Sequence, residues 1–203
     1  MDKSEAKIVI LILAGGQGSR IGAIKQLLPW KDSTLLENAI KQATSSNVQD
    51  IIVVLGSYAA EIRSKIRDDQ VQFIENPDWE KGLGTSISSG VKHIQKSKTN
   101  AKGIMVLLAD QPLIDTEYIN KMLDTFDKLS NGMVTTNYGN REGVPAIFGQ
   151  QFFQELQSLN QDFGAKELIK KNKHINVSLN PEGKELDVDT IEDYNILLKE
   201  QSK

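Results

Sequence analysis

Apolar runs alternating with helix-patterned stretches predict an α/β fold, a Rossmann-like three-layer α/β/α sandwich around a mostly parallel sheet. Three observations carry this. Residues 8–13 (IVILIL) form an unbroken apolar run of strand length, as in strands buried on both faces. Four similar runs follow at 51–55, 71–74, 104–108 and 133–136, separated by stretches long enough for helical crossovers. Glycine-rich or turn-forming segments come straight after the strand candidates, where an open parallel sheet binds its ligands.

The elements follow in order. Thr34 and Glu37 have capping-box spacing, and Leu36, Ala39, Ile40 and Ala43 continue at helical spacing. Helices are also expected at 59–66 and 85–94. Asp115 caps another, in which Ile119, Met122, Leu123 and Phe126 form one stripe. After about residue 137 the rhythm changes to a short extended piece at 145–148, helices at 152–159 and 165–171, a strand at 175–179 and a closing helix at 190–199. No linker or repeat interrupts the chain. Residues 1–203 read as a single domain, with a nucleotide-binding part to about 137 and a last third that decorates the sheet.

A formal net charge of −3 argues against binding nucleic acid by general phosphate neutralisation. With no cysteine, thiolate metal sites, disulfides and cysteine nucleophiles are excluded. The N-terminus carries both charge signs before a short apolar run, which fits neither a signal peptide nor a membrane span. A cytoplasmic protein is expected.

The segment LAGGQGSRIGAIKQLLP (13–29) holds four glycines, Arg20 and Lys25. It lacks the Walker A spacing, and Gly16, Gly18 and Gly22 miss the dinucleotide fingerprint by one residue. Such a loop is either a surface turn or an anion-binding concavity of backbone N–H groups, and the two cations favour a polyphosphate. Asp110 follows the strand candidate at 104–108, with Pro112 ending the turn. Alone it would read as a turn aspartate. On the same rim as the glycine loop, it suits Mg²⁺ held against phosphates. The loops at 15–22, 76–84 and 109–112 are therefore expected to converge.

On these motifs the chain resembles the MobA/MocA-like nucleotidyltransferases, which attach a nucleotide to the molybdenum cofactor. The likeness continues through NPDWEKGLGTS (76–86), DQP (110–112), GVP (143–145), DFGAK (162–166) and DVDTIEDY (187–194). It is nearest to the molybdenum cofactor cytidylyltransferase branch. The resemblance implies a fold like that of the nucleotide-diphospho-sugar transferases. It implies that the backbone at Leu13, Ala14, Gly15 and Gly16 meets the nucleotide, and that Arg20 and Lys25 balance triphosphate charge. Gly82, Gly84 and Ser86 then line the base and ribose side, and Asp110 holds Mg²⁺. One of Asp187 and Asp189, by preference Asp189, approaches the metal from the far side. The implied reaction is attack of the molybdopterin phosphate on the α-phosphorus of a nucleoside triphosphate, with pyrophosphate leaving. An ionised phosphate needs no general base, and His93 and His174 are expected to be surface or packing residues.

Within the resemblance, Gly15 is guanylyl-like, whereas Ile24 departs from the guanylyl pattern and the KQLLP run, Gly82-x-Gly-x-Ser86 and the DVDT run are cytidylyl-like, so CTP is expected over GTP. The alternatives are a guanylyltransferase, a relative using another small phosphorylated acceptor, or a non-catalytic cofactor carrier. Trp30 and Trp79 flank the site loops as packing anchors or as stacking partners for a pterin.

Overall fold

The structure is a computed structural model that describes residues 7–18, 21–48 and 50–201. Strands β1 (Lys7–Ala14), β4 (Asp50–Leu55), β5 (Gln72–Glu75), β6 (Ala101–Leu108), β7 (Met133–Asn137), β8 (Glu142–Gly149) and β9 (Asn176–Leu179) form one sheet in the order β5-β4-β1-β6-β8-β7-β9. Strands β2 (Pro29–Trp30) and β3 (Ser33–Thr34) make a small hairpin beside it. Helices α1 (Leu35–Thr44), α2 (Ala59–Lys65), α3 (Leu83–Lys96), α4 (Thr116–Asp127), α5 (Phe153–Gln157), α6 (Lys166–Lys171) and α7 (Ile191–Gln201) complete the chain.

The apolar run of β1 is explained by burial on both faces. Ile8, Ile10, Ile12 and Ala14 pack with buried residues of α1, α2 and α4, while Val9, Leu11 and Leu13 pack with those of α3, α5 and α6. That alternation is the period-two geometry of a strand, and it divides the helices into two layers. Helix α7 stands apart from both. Its Tyr194 and Leu197 close on Trp30, Leu35 and Val188.

Both cap expectations hold. The Thr34 hydroxyl accepts from the Glu37 N–H, and the Glu37 carboxylate accepts from the Thr34 N–H at 2.9 Å. Asp115 accepts from the Tyr118 N–H at the start of α4. Thr34→Ala removes one half of the box and is expected to cost about 1 kcal/mol. Urea unfolding should give a lower midpoint at an unchanged slope.

The last third of the chain does more than decorate the sheet. β8 lies inside it, antiparallel to both β6 and β7. Pro145 speaks against an interior strand because it cannot donate a ladder bond. Here the β6 pairing ends at Ala146, and the β7 register shifts between Thr135 and Thr136, so Pro145 occupies the irregularity.

Order and connection together position the site. From β1 the chain moves outward to β4 and β5, then returns through α3 to β6 on the other side of β1. The winding reverses between β1 and β6, and their carboxyl ends frame the crevice in which such sheets bind ligands.

Candidate active site

Gly15 leaves β1, Gly56 leaves β4 and Asp110 lies two residues beyond β6. The first two strand ends approach closely. A Cβ on Gly56 would stand 2.5 Å from the Trp79 Cβ and 2.7 Å from the Gly15 carbonyl, so no larger residue fits. The glycine loop is tied down by its own acceptors. The Leu13 carbonyl accepts from the Ala109 N–H at 3.1 Å, and that of Gly15 from the Ser57 N–H at 3.2 Å. The buried Gln26 amide donates to the carbonyls of Ala14 (2.8 Å) and Gly16 (2.9 Å). With four successive carbonyls engaged by the protein, none of these bonds has to be broken to admit an anion.

The second loop is braced from within. The side-chain amide of buried Asn76 donates to the Thr85 hydroxyl at 2.9 Å and the Ser86 hydroxyl at 3.1 Å. Ser86 in turn lies 3.1 Å from where a Gly15 Cβ would be, joining this loop to the first. Gly82 and Gly84 face a third segment. A Cβ on Gly82, whose φ is +105°, would meet the Asp162 Cα at 2.5 Å, and one on Gly84 would meet the Gln161 carbonyl at 2.4 Å. The Gly84 N–H also donates to that carbonyl at 3.0 Å. Close approach of residues 161–162 therefore accounts for both glycines without reference to a ligand.

Charge concentrates next to the glycine loop, around Lys25 and Asp110. The Lys25 ammonium lies 2.5 Å from Asp110 Oδ2 and 3.3 Å from Asp189 Oδ1. Lys25 is 13% and Asp110 23% exposed at the side chain, against 56% for Asp189. Burial pushes the Lys25 pKa down, but Asp110 and then Asp189 outweigh it, so the ammonium is held above its usual value and stays charged at neutral pH. Asp187 is pushed up to about 6, first by burial and then by the neighbouring Asp110 charge.

Both aspartates of the DVD run face this cluster, where only one was expected. Residues two apart in an extended segment share a face. Val188 between them is fully buried against Trp30, Leu35 and α7, and its N–H donates to the Asp110 carbonyl at 2.9 Å. Thr190 and Asp193 cap α7 reciprocally, holding the segment from its other end.

The oxygen-only donor set suits a hard cation such as Mg²⁺. Asp110 Oδ1 is buried without a partner while Oδ2 is on Lys25, which leaves one carboxylate oxygen for an ion. Among the described residues there is no preformed cage of three or more acidic, histidine or cysteine ligands. Mg²⁺ does not require one, since it binds through one or two carboxylates and takes phosphate oxygens and waters for the rest.

Of the sequence-derived site residues, Gly15 and Ser86 approach each other, and Gly82 and Gly84 pack against residues 161–162. Lys25, Asp110 and Asp189 form the charged cluster beside the glycine loop of Leu13, Ala14, Gly15 and Gly16. Arg20 lies outside the described residues. Trp30 is 1% exposed within the α7 cluster, so it packs and does not stack on a ligand. Gln26, Gly56, Asn76 and Gln111 carry structural duties in the site that the sequence did not assign. Gln26 and Asn76 could have been suspected as polar residues inside otherwise glycine- and apolar-rich motifs. Gly56 and Gln111 depend on partners distant in sequence.

Residues 10–176 match the MobA-like NTP transferase domain. The purine catabolism protein PucB of Bacillus subtilis (strain 168) is 26% identical over 205 residues, which cover 96% of this chain and 98% of PucB. Rv0371c from Mycobacterium tuberculosis H37Rv superimposes with a TM-score of 0.86 at 28% identity, over 97% of this chain and 99% of that one. Its structure in complex with manganese gives a TM-score of 0.82 at 26% identity, over 97% and 100%. No helix among the described residues is long and apolar enough to cross a membrane. The chain belongs to the family of MobA-like NTP transferase domains, and its chemistry is nucleotidyl transfer.

Proposed function

We propose that the protein transfers CMP from CTP to the phosphate of molybdopterin or of the molybdenum cofactor built on it, with release of pyrophosphate. The observation that carries this reading is the cluster of Lys25, Asp110 and Asp189 at the switch point, with one oxygen of Asp110 left over. Its position directly beside the glycine loop, where a Gly18 Cβ would stand 3.2 Å from the Lys25 Cβ and the Ala109 N–H donates to the Leu13 carbonyl, suits a triphosphate held by both. The manganese complex of Rv0371c supports a divalent ion in the family, and we assign Mg²⁺ to Asp110 and Asp189.

When bound, the metal ion supplies positive charge to the phosphate oxygens around the reacting phosphorus. The protein's own contribution is positional and electrostatic. Lys25 brings a fixed ammonium to the α-phosphoryl group, where negative charge builds in the transition state. Gly15 and Gly16 allow close approach of the nucleotide backbone, and Arg20 is assigned to the departing pyrophosphate. No general base is needed, because the acceptor phosphate is ionised near neutral pH. Ser86, on the base side with Gly82 and Gly84, is held by Asn76 so that its hydroxyl occupies a set position.

CTP is assigned over GTP on the cytidylyl-like runs KQLLP, Gly82-x-Gly-x-Ser86 and DVDT, and a pocket sized for one ring would exclude a purine by overlap. Ser86 and Gly56 already crowd the Gly15 Cα, so the glycine does not open a wide space there. Competition kinetics with CTP and GTP at equal concentration, Mg²⁺ and molybdopterin are expected to favour CTP. A preference of about tenfold corresponds to 1.4 kcal/mol, within what one unpaired polar edge contributes. A GTP preference would overturn the cytidylyl assignment, and stoichiometric binding without pyrophosphate release would identify a carrier.

A further inference from the structure

Gln111 follows Asp110 and is only 3% exposed. Its Nε2 lies 2.9 Å from Asp187 Oδ1, 2.7 Å from the Tyr138 hydroxyl and 3.3 Å from the Glu185 carbonyl. An ionised carboxylate and a peptide carbonyl can only accept, so the NH₂ group of the amide must point this way. The Tyr138 hydroxyl donates to the Val144 carbonyl, which leaves its oxygen to accept from Gln111. The Arg141 guanidinium covers the Tyr138 ring at 4.4 Å. One side chain thus joins the turn after β6, the β7–β8 hairpin and the segment that carries Asp187 and Asp189.

This tie opposes a specific force. Asp110, Asp187 and Asp189 repel one another, and Lys25 reaches only Asp110 and Asp189 within ion-pair distance. A cation placed against Asp187 would quench the negative charge that a metal site needs. A neutral amide holds the carboxylate in place and leaves that charge intact. The backbone bond from the Val188 N–H to the Asp110 carbonyl fixes the segment's height but not the direction of the Asp187 side chain.

We propose that Gln111, braced by Tyr138, is a positioning residue that aims Asp187 and its segment at Asp110 for the divalent cation. The inference rests on the reading above, in which Asp110 and Asp189 receive the metal, Asp189 lying two residues beyond Asp187 on the segment that Gln111 holds. Partners that orient a ligand from behind change metal affinity by about 10–100-fold when removed.

The test is titration of the full-length protein with Mn²⁺ alone, followed by electron paramagnetic resonance of the free ion, with Tm measured for each variant. Gln111→Ala is expected to weaken Mn²⁺ binding by about 10–100-fold. Tyr138→Phe keeps the ring and loses the acceptor, and should weaken binding in the same direction by a smaller factor. Asn38→Ala is the control. Its buried amide donates to the Pro112 carbonyl at 3.1 Å, supporting the same turn without touching an aspartate. It should lower Tm and leave Mn²⁺ affinity unchanged. Unchanged affinity in Gln111→Ala, or an equal loss in Asn38→Ala, overturns the positioning role. Should Gln111→Ala fail to fold, Tyr138→Phe decides alone, and unchanged affinity there overturns it. Absence of Mn²⁺ binding by the unmodified protein would overturn the metal reading together with this role. Normal binding with indifferent variants would overturn the role alone.

Discussion

Asp110→Asn is expected to reduce nucleotidyl transfer to about one-thousandth or below, the upper end of what one electrostatic group contributes. The amide keeps the shape of the carboxylate but loses the charge on both oxygens, including the buried Oδ1 that has no partner. Lys25 retains Asp189 at 3.3 Å, so the fold should survive with little change in Tm. Steady-state pyrophosphate release, with a thermal melt beside it, reads both. Near-normal turnover in a folded variant would remove Asp110 from the metal site.

Lys25→Met is expected to lower kcat by about 10²–10³-fold while the nucleotide KM changes far less. Methionine preserves most of the stem volume and removes the cation that we assign to charge developing at the α-phosphorus. An interaction made mainly in the transition state affects kcat and spares ground-state binding. A second consequence has the opposite sign. In the free protein the ammonium neutralises part of the charge of Asp110 and Asp189, the two carboxylates assigned to the metal. Without it these two carboxylates lose their counter-cation, and Mn²⁺ binding in the absence of nucleotide should become tighter. A collapse of nucleotide affinity at unchanged kcat would make Lys25 a ground-state binder. Looser Mn²⁺ binding would show that the ammonium does not compete with the metal for the charge of these carboxylates.

The features legible in the sequence are those with local causes. The β1 run, the Thr34 capping box and the Asp115 cap depend on residues within one turn or one strand of each other, and their periodicity or spacing survives in the linear chain. The order of strand and loop likewise placed the glycine segment and Asp110 on one rim, because carboxyl ends of parallel strands share an edge.

Only the tertiary structure decided what depends on long-range pairing. The sequence shows β8 only as a short extended piece because Pro145 conceals a strand whose two partners are β6 and β7, and nothing near residue 145 announces the bulge that accommodates it. Gly82 and Gly84 carry no local sign that Gln161 and Asp162 will press against them. Asp187 and Asp189 share a face by the two-residue period of an extended segment, but that this face meets Lys25 and Asp110 follows from the burial of Val188 against Trp30 and Leu35, which lie far from it in sequence. The sequence by itself determined which strands, caps and charged groups exist and on which rim they fall, through periodicity and spacing. Which of those groups touch was left to packing between distant segments, as in the pair of Lys25 with Asp189, 164 residues apart, and no local pattern encodes such a contact.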